Sequence, residues 1–173
     1  MVSVAQALRA CRHLLYPGWR LHRAFPRATL QRIEEAIQAS ERQHRAELRF
    51  VVEGGLDFIA AWRGLTPRER AIEIFSNLRV WDTEENCGVL IYVQLVDRDI
   101  EIIADRSVDA KVAQAEWESV CRGMESAFRD DRFVDGALQG IAEVTALIAR
   151  HFPALAVNRN ELSDRPLILP GGG

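Results

Sequence analysis

The chain has 173 residues, of which 48% are hydrophobic and 27% are charged. This is enough apolar material for one domain with a sizeable core, and it argues against extended disorder. The longest nearly unbroken apolar run, residues 89–96, is far shorter than the ~20 residues that a membrane-spanning helix requires. Because the N-terminus also lacks the pattern of a secretory signal, we expect a cytoplasmic protein.

The three cysteines, Cys11, Cys87 and Cys121, form no CxxC pair. An odd number without such pairing predicts free thiols and argues against a disulfide framework or a zinc site. Cys87 lies in a predicted loop, but the neighbouring Glu84 and Glu85 oppose formation of a thiolate. We therefore interpret Cys87 as an incidental small residue.

Positive charge is concentrated at the N-terminus, although the net charge of the chain is only -3. Residues 1–33 hold six arginines and no acidic residue. Apolar residues at helical spacing predict a basic amphipathic helix within residues 1–24, and it either packs on the domain with a solvated basic face or binds an anionic membrane surface or acidic partner. No aromatic-interleaved basic strip accompanies the arginines, so we expect no nucleic-acid partner. The apolar positions are Val4, Leu8, Cys11 and Leu15.

The body of the chain, residues 25–153, alternates helical and extended patterns. Thr66, Pro67 and Glu69 form a capping box with proline at the first helical position. Asp97 and Arg98 are predicted to be a two-residue hairpin turn, and two-residue links join antiparallel strands. After Pro153 the sequence has no periodicity, so we expect residues 154–173 to be a mobile tail. The predicted elements are a helix over 26–45, a strand over 48–52, helices over 56–62 and from 67 onward, strands over 88–96 and 100–104, and helices covering 117–128 and 134–148.

The order of these elements predicts a small mixed sheet with helices on both faces. The first two strands are separated by helices, which favours a parallel crossover between them. In that arrangement Glu47 and Asn86 enter the sheet at the end to which the antiparallel third strand returns Asp105 and Arg106. The polar residues of three separate segments are therefore expected to meet at one end of the sheet.

Oxygen-bearing side chains at this end suggest a cation site. Carboxylates and amide carbonyls suit a hard cation such as Ca²⁺ or Mg²⁺. The alternative is that these acids only solvate and cap a loop, as charge runs usually do, since the twelve-residue, helix-flanked calcium loop is absent. Arg106 beside Asp105 offers a third interpretation, an anion held by the guanidinium fork. The candidate metal ligands are Asp82, Glu84, Glu85, Asn86 and Asp105.

His44 ends the apolar stripe of the first long helix and is a candidate proton shuttle. The other interpretation is a helix C-cap or a residue at the edge of the core. A general base also needs a positioned nucleophile. The sequence shows neither a phosphate-binding lysine loop nor a GxGxxG pattern.

The run from Asn86 to Val93, with its return strand, resembles the core of the TPM domain over roughly residues 25–152. The resemblance implies a three-layer α/β/α sandwich of Rossmann-like shape with a crater at one end of the sheet. A more specific set of residues resembles a bacterial subfamily that lacks a signal or membrane anchor. The residues that match this subfamily are Ser40-Glu41, His44, Glu47, Arg68 to Ala71, Val80 to Thr83 and Ile103 to Arg106.

Family membership implies two possible functions for the crater. Some plant members are described as thylakoid acid phosphatases or photosystem repair factors, and some bacterial members as calcium binders. The favoured interpretation is a non-catalytic module that binds a protein partner or divalent cation and supports envelope protein assembly or quality control. Its implied partner is a membrane-attached TPM protein or a LemA-like protein, which places the chain in the cytoplasm, peripheral to the membrane. The implied crater residues are His44, Glu47, Asp82, Asn86, Asp105 and Arg106.

The alternative is a metal-assisted phosphatase, in which a bound ion lowers the pKa of an attacking water. In the family an Asn-Gly pair often opens the central strand, and in phosphatase-associated members a Gly-rich segment ends the return strand. Here these positions are Asn86-Cys87-Gly88 and Ala104-Asp105-Arg106. The two departures favour the non-catalytic interpretation.

Overall fold

A four-stranded mixed sheet organises the part of the chain that the computed structural model describes, residues 3–155 and 160–171. The strand order is β3-β2-β1-β4. β1 and β2 are buried along their whole length, which the nearly unbroken apolar run of residues 88–96 predicts for β2. The strands are β1 (Leu48–Glu53), β2 (Val89–Gln94), β3 (Asp99–Ala104) and β4 (Leu167–Leu169).

Helices account for most of the remaining described residues. The predicted capping box of α5 is confirmed: the Glu69 N–H donates to Thr66 Oγ1 over 3.2 Å, and the Thr66 N–H donates to the Glu69 carboxylate over 2.9 Å. Across the described ranges, no helix is long and apolar enough to cross a bilayer. The helices are α1 (Val4–Leu14), α2 (Gly18–Ala24), α3 (Arg27–Glu41), α4 (Phe58–Trp62), α5 (Pro67–Asn77), α6 (Arg106–Asp109), α7 (Gln114–Arg129) and α8 (Phe133–His151).

The predicted topology and layers are confirmed. β1 pairs parallel with β2, and β2 pairs antiparallel with β3. One sheet face packs on α3, α7 and α8, where Phe50 and Ile91 join the larger core. The other face packs on α5, where Val51 and Tyr92 contribute to a second core. The result is a three-layer α/β/α arrangement.

The hairpin between β2 and β3 is longer than predicted. Gln94 pairs with Asp99, so the connection comprises the four residues 95–98 and not the two residues Asp97 and Arg98. The Val96 N–H donates to the Gln94 side chain over 2.7 Å and to Gly54 O over 3.3 Å. The bond to Gly54 holds Val96 beside the residue that follows β1, and the pairing of β2 with β3 ends at Gln94.

The described part of the predicted mobile tail is ordered against the sheet. Leu167–Leu169 forms β4, which pairs parallel with β1 in the register Val51 to Leu167. A three-residue strand is too short to show a period of two, and its flanking prolines, Pro166 and Pro170, are typical of an edge strand. Residues 156–159, 172 and 173 of this segment lie outside the described residues.

The basic N-terminal segment forms two helices and not the single helix predicted over residues 1–24. The break lies at Pro17, which adopts an extended conformation and precedes the first residue of α2. α1 is fixed by a long-range ion pair, in which Arg9 Nη2 lies 2.7 Å from an oxygen of Asp97. His13 is buried beside the same carboxylate, with its Nε2 atom 3.2 Å from Asp97 Oδ1.

The orientation of α1 contradicts one of the two predicted arrangements, the helix that packs on the domain with a solvated basic face. Arg9 and His13 face the domain, whereas the apolar stripe faces outward. Leu8 is 61% exposed and Leu15 is 76% exposed. The spacing of apolar residues identified which residues share a face, but the ion pair between Arg9 and Asp97 determines which face packs on the domain.

We expect Gly88→Ala to lower the free energy of unfolding by about 3 kcal/mol, because an added Cβ would overlap the Val80 carbonyl oxygen and force the backbone to move. Urea denaturation measures this change. Gly123→Ala is the matched control, since nothing lies within 4 Å of a Cβ added in α7; it should raise stability by about 0.5–1 kcal/mol. Equal stability of the Gly88→Ala variant and the wild type would contradict the predicted overlap.

Candidate functional site

The two ends of the sheet differ in chemistry, and most predicted site residues lie where β1 and β2 begin. Here the Val89 N–H donates to Glu47 O and the Asp105 N–H donates to Gly88 O, each over 2.8 Å. Glu47 thus stands at the entry to β1, and Asp105 at the exit of β3. We call this region the acidic end: Glu47, residues 81–86, residues 105–106 and residues 160–165.

The loop of residues 81–86 forms the exposed part of the acidic end. Asp82, Glu84 and Asn86 are exposed, whereas Glu85 is partly buried and paired with Arg45 over 3.1 Å. Ser107 holds the loop, since its hydroxyl donates to Glu85 O over 3.1 Å and its N–H donates to Asn86 O over 3.3 Å. Asn86 adopts the left-handed conformation, with φ of 51°, which asparagine tolerates better than most residues.

Asp105 joins this loop to the sheet and carries an unsatisfied oxygen. Its side chain is buried, and Oδ1 accepts a hydrogen bond from the Arg106 N–H over 2.7 Å, which caps α6. Oδ2 is also buried, but no atom of the described residues donates a hydrogen bond to it. A buried oxygen without a donor is costly. Arg106, next in the chain, is exposed.

A pair of buried carboxyl groups lies behind the loop. Glu47 Oε2 accepts a hydrogen bond from the Leu162 N–H over 3.0 Å, and burial raises the pKa of Glu47. Glu41, which was absent from the predicted site, accepts a hydrogen bond from the Leu48 N–H over 3.2 Å. Burial, followed by the nearby charge of Glu47, raises the pKa of Glu41 to about 8.

Residues 160–165 close over these carboxyl groups, and sequence reasoning missed them. Leu162 contacts Glu47 as described, and the Glu161 carboxylate accepts a hydrogen bond from the Glu84 N–H over 3.0 Å. The guanidinium of Arg49 donates to Arg165 O over 3.3 Å. The only sequence signal of this contact is the apolar triplet of β4, which is too short to interpret alone.

His44 is not part of the exposed acidic end. It is fully buried, with Nε2 2.7 Å from Ser40 Oγ, and Ser40 in turn lies 2.6 Å from Thr145 Oγ1 on α8. Burial lowers the pKa of His44 to about 4, so the ring is neutral at pH 7. His44 therefore lies deeper than the predicted position at a helix C-cap or at the edge of the core.

The predicted metal ligands do not form a ready-made cation site. Among residues 3–155 and 160–171, no group of three or more His, Cys, Asp or Glu side chains is arranged to hold a metal ion. Asp105 is buried, Glu85 is paired with Arg45, and Asp82 and Glu84 are exposed. Metal binding at this end therefore remains a prediction.

The opposite end of the sheet is closed by ion pairs. Arg70 binds both oxygens of Glu53, with Nη2 to Oε1 at 2.8 Å and Nε to Oε2 at 3.0 Å. Tyr92 Oη lies 2.5 Å from the same carboxylate. Burial favours a raised pKa at Asp97, but hydrogen bonds from His13 and Arg9 outweigh it and lower the pKa to about 2.

We expect Glu41→Gln to stabilise the protein at pH 8. The pKa of Glu41 rises from 4.5 to about 8 on folding, so this group's contribution to stability is fully present below pH 4.5 and is lost as the pH rises toward 8. Glutamine cannot lose a proton, and its amide can donate to Asp164 as the protonated carboxyl does. At pH 8 the free energy of unfolding of the variant should therefore be about 2 kcal/mol higher than that of the wild type.

Urea denaturation across this pH range tests the prediction. The free energy of unfolding of the wild type should fall toward pH 8, whereas that of Glu41→Gln should fall less. Glu35→Gln, at an exposed position on the same helix, should follow the wild type. A Glu41→Gln variant with the pH dependence of the wild type would show that Glu41 is ionised in the folded state.

Comparison with known proteins identifies the family. No curated protein matches the chain. Its structure is similar to that of the BA42 protein from the psychrophilic bacterium Bizionia argentinensis, with a TM-score of 0.72, 24% identity, and coverage of 82% of this chain and 92% of that one. It is also similar to the N-terminal domain of a protein from P. gingivalis, with a TM-score of 0.57, 15% identity, and coverage of 73% and 77%. The family model of the TPM domain matches residues 22–147, and the chain belongs to the TPM domain family.

Proposed function

We propose that this TPM protein is a non-catalytic module that binds a basic segment of a partner protein at its acidic end. The observation that carries the proposal is the unsatisfied Oδ2 atom of Asp105, whose residue is only 6% exposed. A guanidinium or ammonium group would supply the missing donor, and charge-assisted hydrogen bonds are stronger than neutral ones.

The surroundings of Asp105 suit a cationic partner. Asp82 and Glu84 are exposed on the adjoining loop, and Glu161 hydrogen-bonds to that loop. Complementary charge of this kind accelerates association and selects partners by the sign of their charge. Because no described group of three acidic, histidine or cysteine side chains is arranged around an ion, we favour a peptide over a divalent cation such as Ca²⁺ or Mg²⁺.

Two features support a binding role over a phosphatase. Burial raises the pKa of Cys87 to about 11, and its thiol donates to Arg45 O over 3.3 Å, so it is a poor nucleophile. His44, the candidate base, is enclosed between α3 and α8. A metal-assisted mechanism would need an ion at the acidic end, and the exposed Asp82 and Glu84 alone do not make such a site.

The family resemblance guides the choice of partner. It implies a membrane-attached TPM protein or a LemA-like protein, within envelope protein assembly or quality control. A basic segment of either protein, on the cytoplasmic side of the membrane, would have the chemistry that Asp105 and its loop require. This chain would then act at the periphery of the membrane.

We expect a synthetic Arg- and Lys-rich hexapeptide to shift the backbone amide NMR signals of residues 82–86 and 105–107. Asp105→Asn should weaken binding at least about tenfold, because it removes one charge of a desolvated pair. Asparagine caps helices as well as aspartate does, so α6 should be retained. Asp135→Asn, at an exposed position in the first turn of α8, is the matched control and should leave binding unchanged.

Other outcomes of the same titration distinguish the alternatives. Shifts at these residues with Ca²⁺ or Mg²⁺, but none with the peptide, would replace the peptide with a cation. Metal-dependent hydrolysis of p-nitrophenyl phosphate that Asp105→Asn abolishes would establish the phosphatase. If neither the peptide nor the ions shift these signals, the acidic end is not a binding site.

A further inference from the structure

A second region, at the opposite end of the sheet from the acidic loop, has the features of a ligand site. A cavity of about 870 Å³ lies beneath α1 and α2, where it is also bordered by the β2–β3 turn and by residues that connect α7 to α8. This volume falls in the range of pockets that hold small molecules or headgroups.

The cavity is rich in arginine. Asp99 and Asp131 are the carboxylates of the lining, and four arginines outnumber them. In the described ranges of the chain, none of the four forms an ion pair with a carboxylate. The four are Arg12, Arg20, Arg23 and Arg98.

Two of these arginines are held in place by neighbouring groups. Arg12 Nη2 donates to Val96 O over 2.8 Å, and the guanidinium of Arg20 lies 5.6 Å from the centre of the Trp19 ring. Both keep donor groups that these contacts do not use. Guanidinium groups match the oxygens of a phosphate in pairs, so the cavity is complementary to a phosphate ester.

Exposed apolar side chains form part of the lining of the cavity, and we call them its apolar rim. Leu8 and Leu15 on α1 are 61% and 76% exposed, and Trp19 on α2 is 59% exposed. The Arg9–Asp97 ion pair holds α1 with this stripe outward. Large apolar side chains in one exposed group mark an interaction surface, and tryptophan is enriched at the interface between membrane and water.

We propose that the cavity binds the phosphate headgroup of an anionic phospholipid at a bilayer surface, while Leu8, Leu15 and Trp19 enter the boundary between headgroups and acyl chains. An amphipathic helix with arginines beside an apolar stripe binds anionic bilayers in this way. A symmetric dimer through the same patch is disfavoured, because it would bring the like-charged arginines of two copies together. The site lies apart from the acidic end, so it is independent of the proposed partner-binding function.

Sedimentation with vesicles tests the proposal. The full chain should bind vesicles of equal parts phosphatidylglycerol and phosphatidylcholine at about 0.1 M NaCl, and binding should be lost at about 1 M NaCl. It should not bind vesicles of phosphatidylcholine alone. Arg20→Glu with Arg23→Glu should reduce partitioning at least about 30-fold, since each basic residue near an anionic surface contributes about fivefold.

The matched control is Arg27→Glu with Arg32→Glu. These arginines are exposed on α3, and the same change of charge is made outside the cavity. Vesicle partitioning of the control should fall only a few-fold, because the change weakens only the general attraction of the protein to the anionic surface. Circular dichroism should show native helix content in both variants because all four arginines are exposed. Equal losses in the two variants would overturn the cavity as the headgroup site.

Two further measurements complete the test. Trp19→Phe should remove the blue shift of tryptophan fluorescence that anionic vesicles produce in the wild type. Binding of glycerol phosphate in solution without binding to vesicles would identify a soluble ligand and overturn the bilayer proposal. Self-association of the wild type without vesicle binding would assign the apolar rim to a second copy and overturn it equally.

Discussion

The parallel pairing of β1 with β2 is the constraint on which the rest of the structure depends. Both strands are buried over six residues each and lie in register from the Leu48–Val89 pair to the Glu53–Gln94 pair. Because the strands run the same way, the polar segments that precede them meet at one end of the sheet and those that follow meet at the other. An antiparallel pair would have mixed the two sets.

The acidic end shows how a domain accommodates carboxyl groups that are removed from water. Glu47 and Glu41 each accept a backbone hydrogen bond, and their raised pKa values lower the cost of burial by favouring the neutral form. Residues 160–165 supply part of this compensation from outside the segment that the family model matches. Asp105 differs because one oxygen of its buried carboxyl group has no donor within the described chain.

Local and periodic signals predicted much of this fold. The capping box at Thr66 predicted the start of α5, and the buried run of β2 predicted a central strand covered on both faces. Sequence order then placed Glu47 and Asp105 at the same end of the sheet. These inferences succeeded because they depend on neighbouring residues or on the order of elements along the chain.

Features that depend on single contacts between distant residues could not be predicted in this way. β4 has three residues and is ordered by its pairing with β1, more than a hundred positions earlier. The orientation of α1 depends on the ion pair between Arg9 and Asp97, which no periodicity reveals. The same contact holds the arginine cavity and its apolar rim at the end of the sheet opposite the acidic loop. At an anionic bilayer the arginines would be attracted and the acidic loop repelled, so this charge distribution would orient the proposed partner-binding end toward the aqueous phase. The proposed membrane contact and the proposed partner binding therefore use different surfaces.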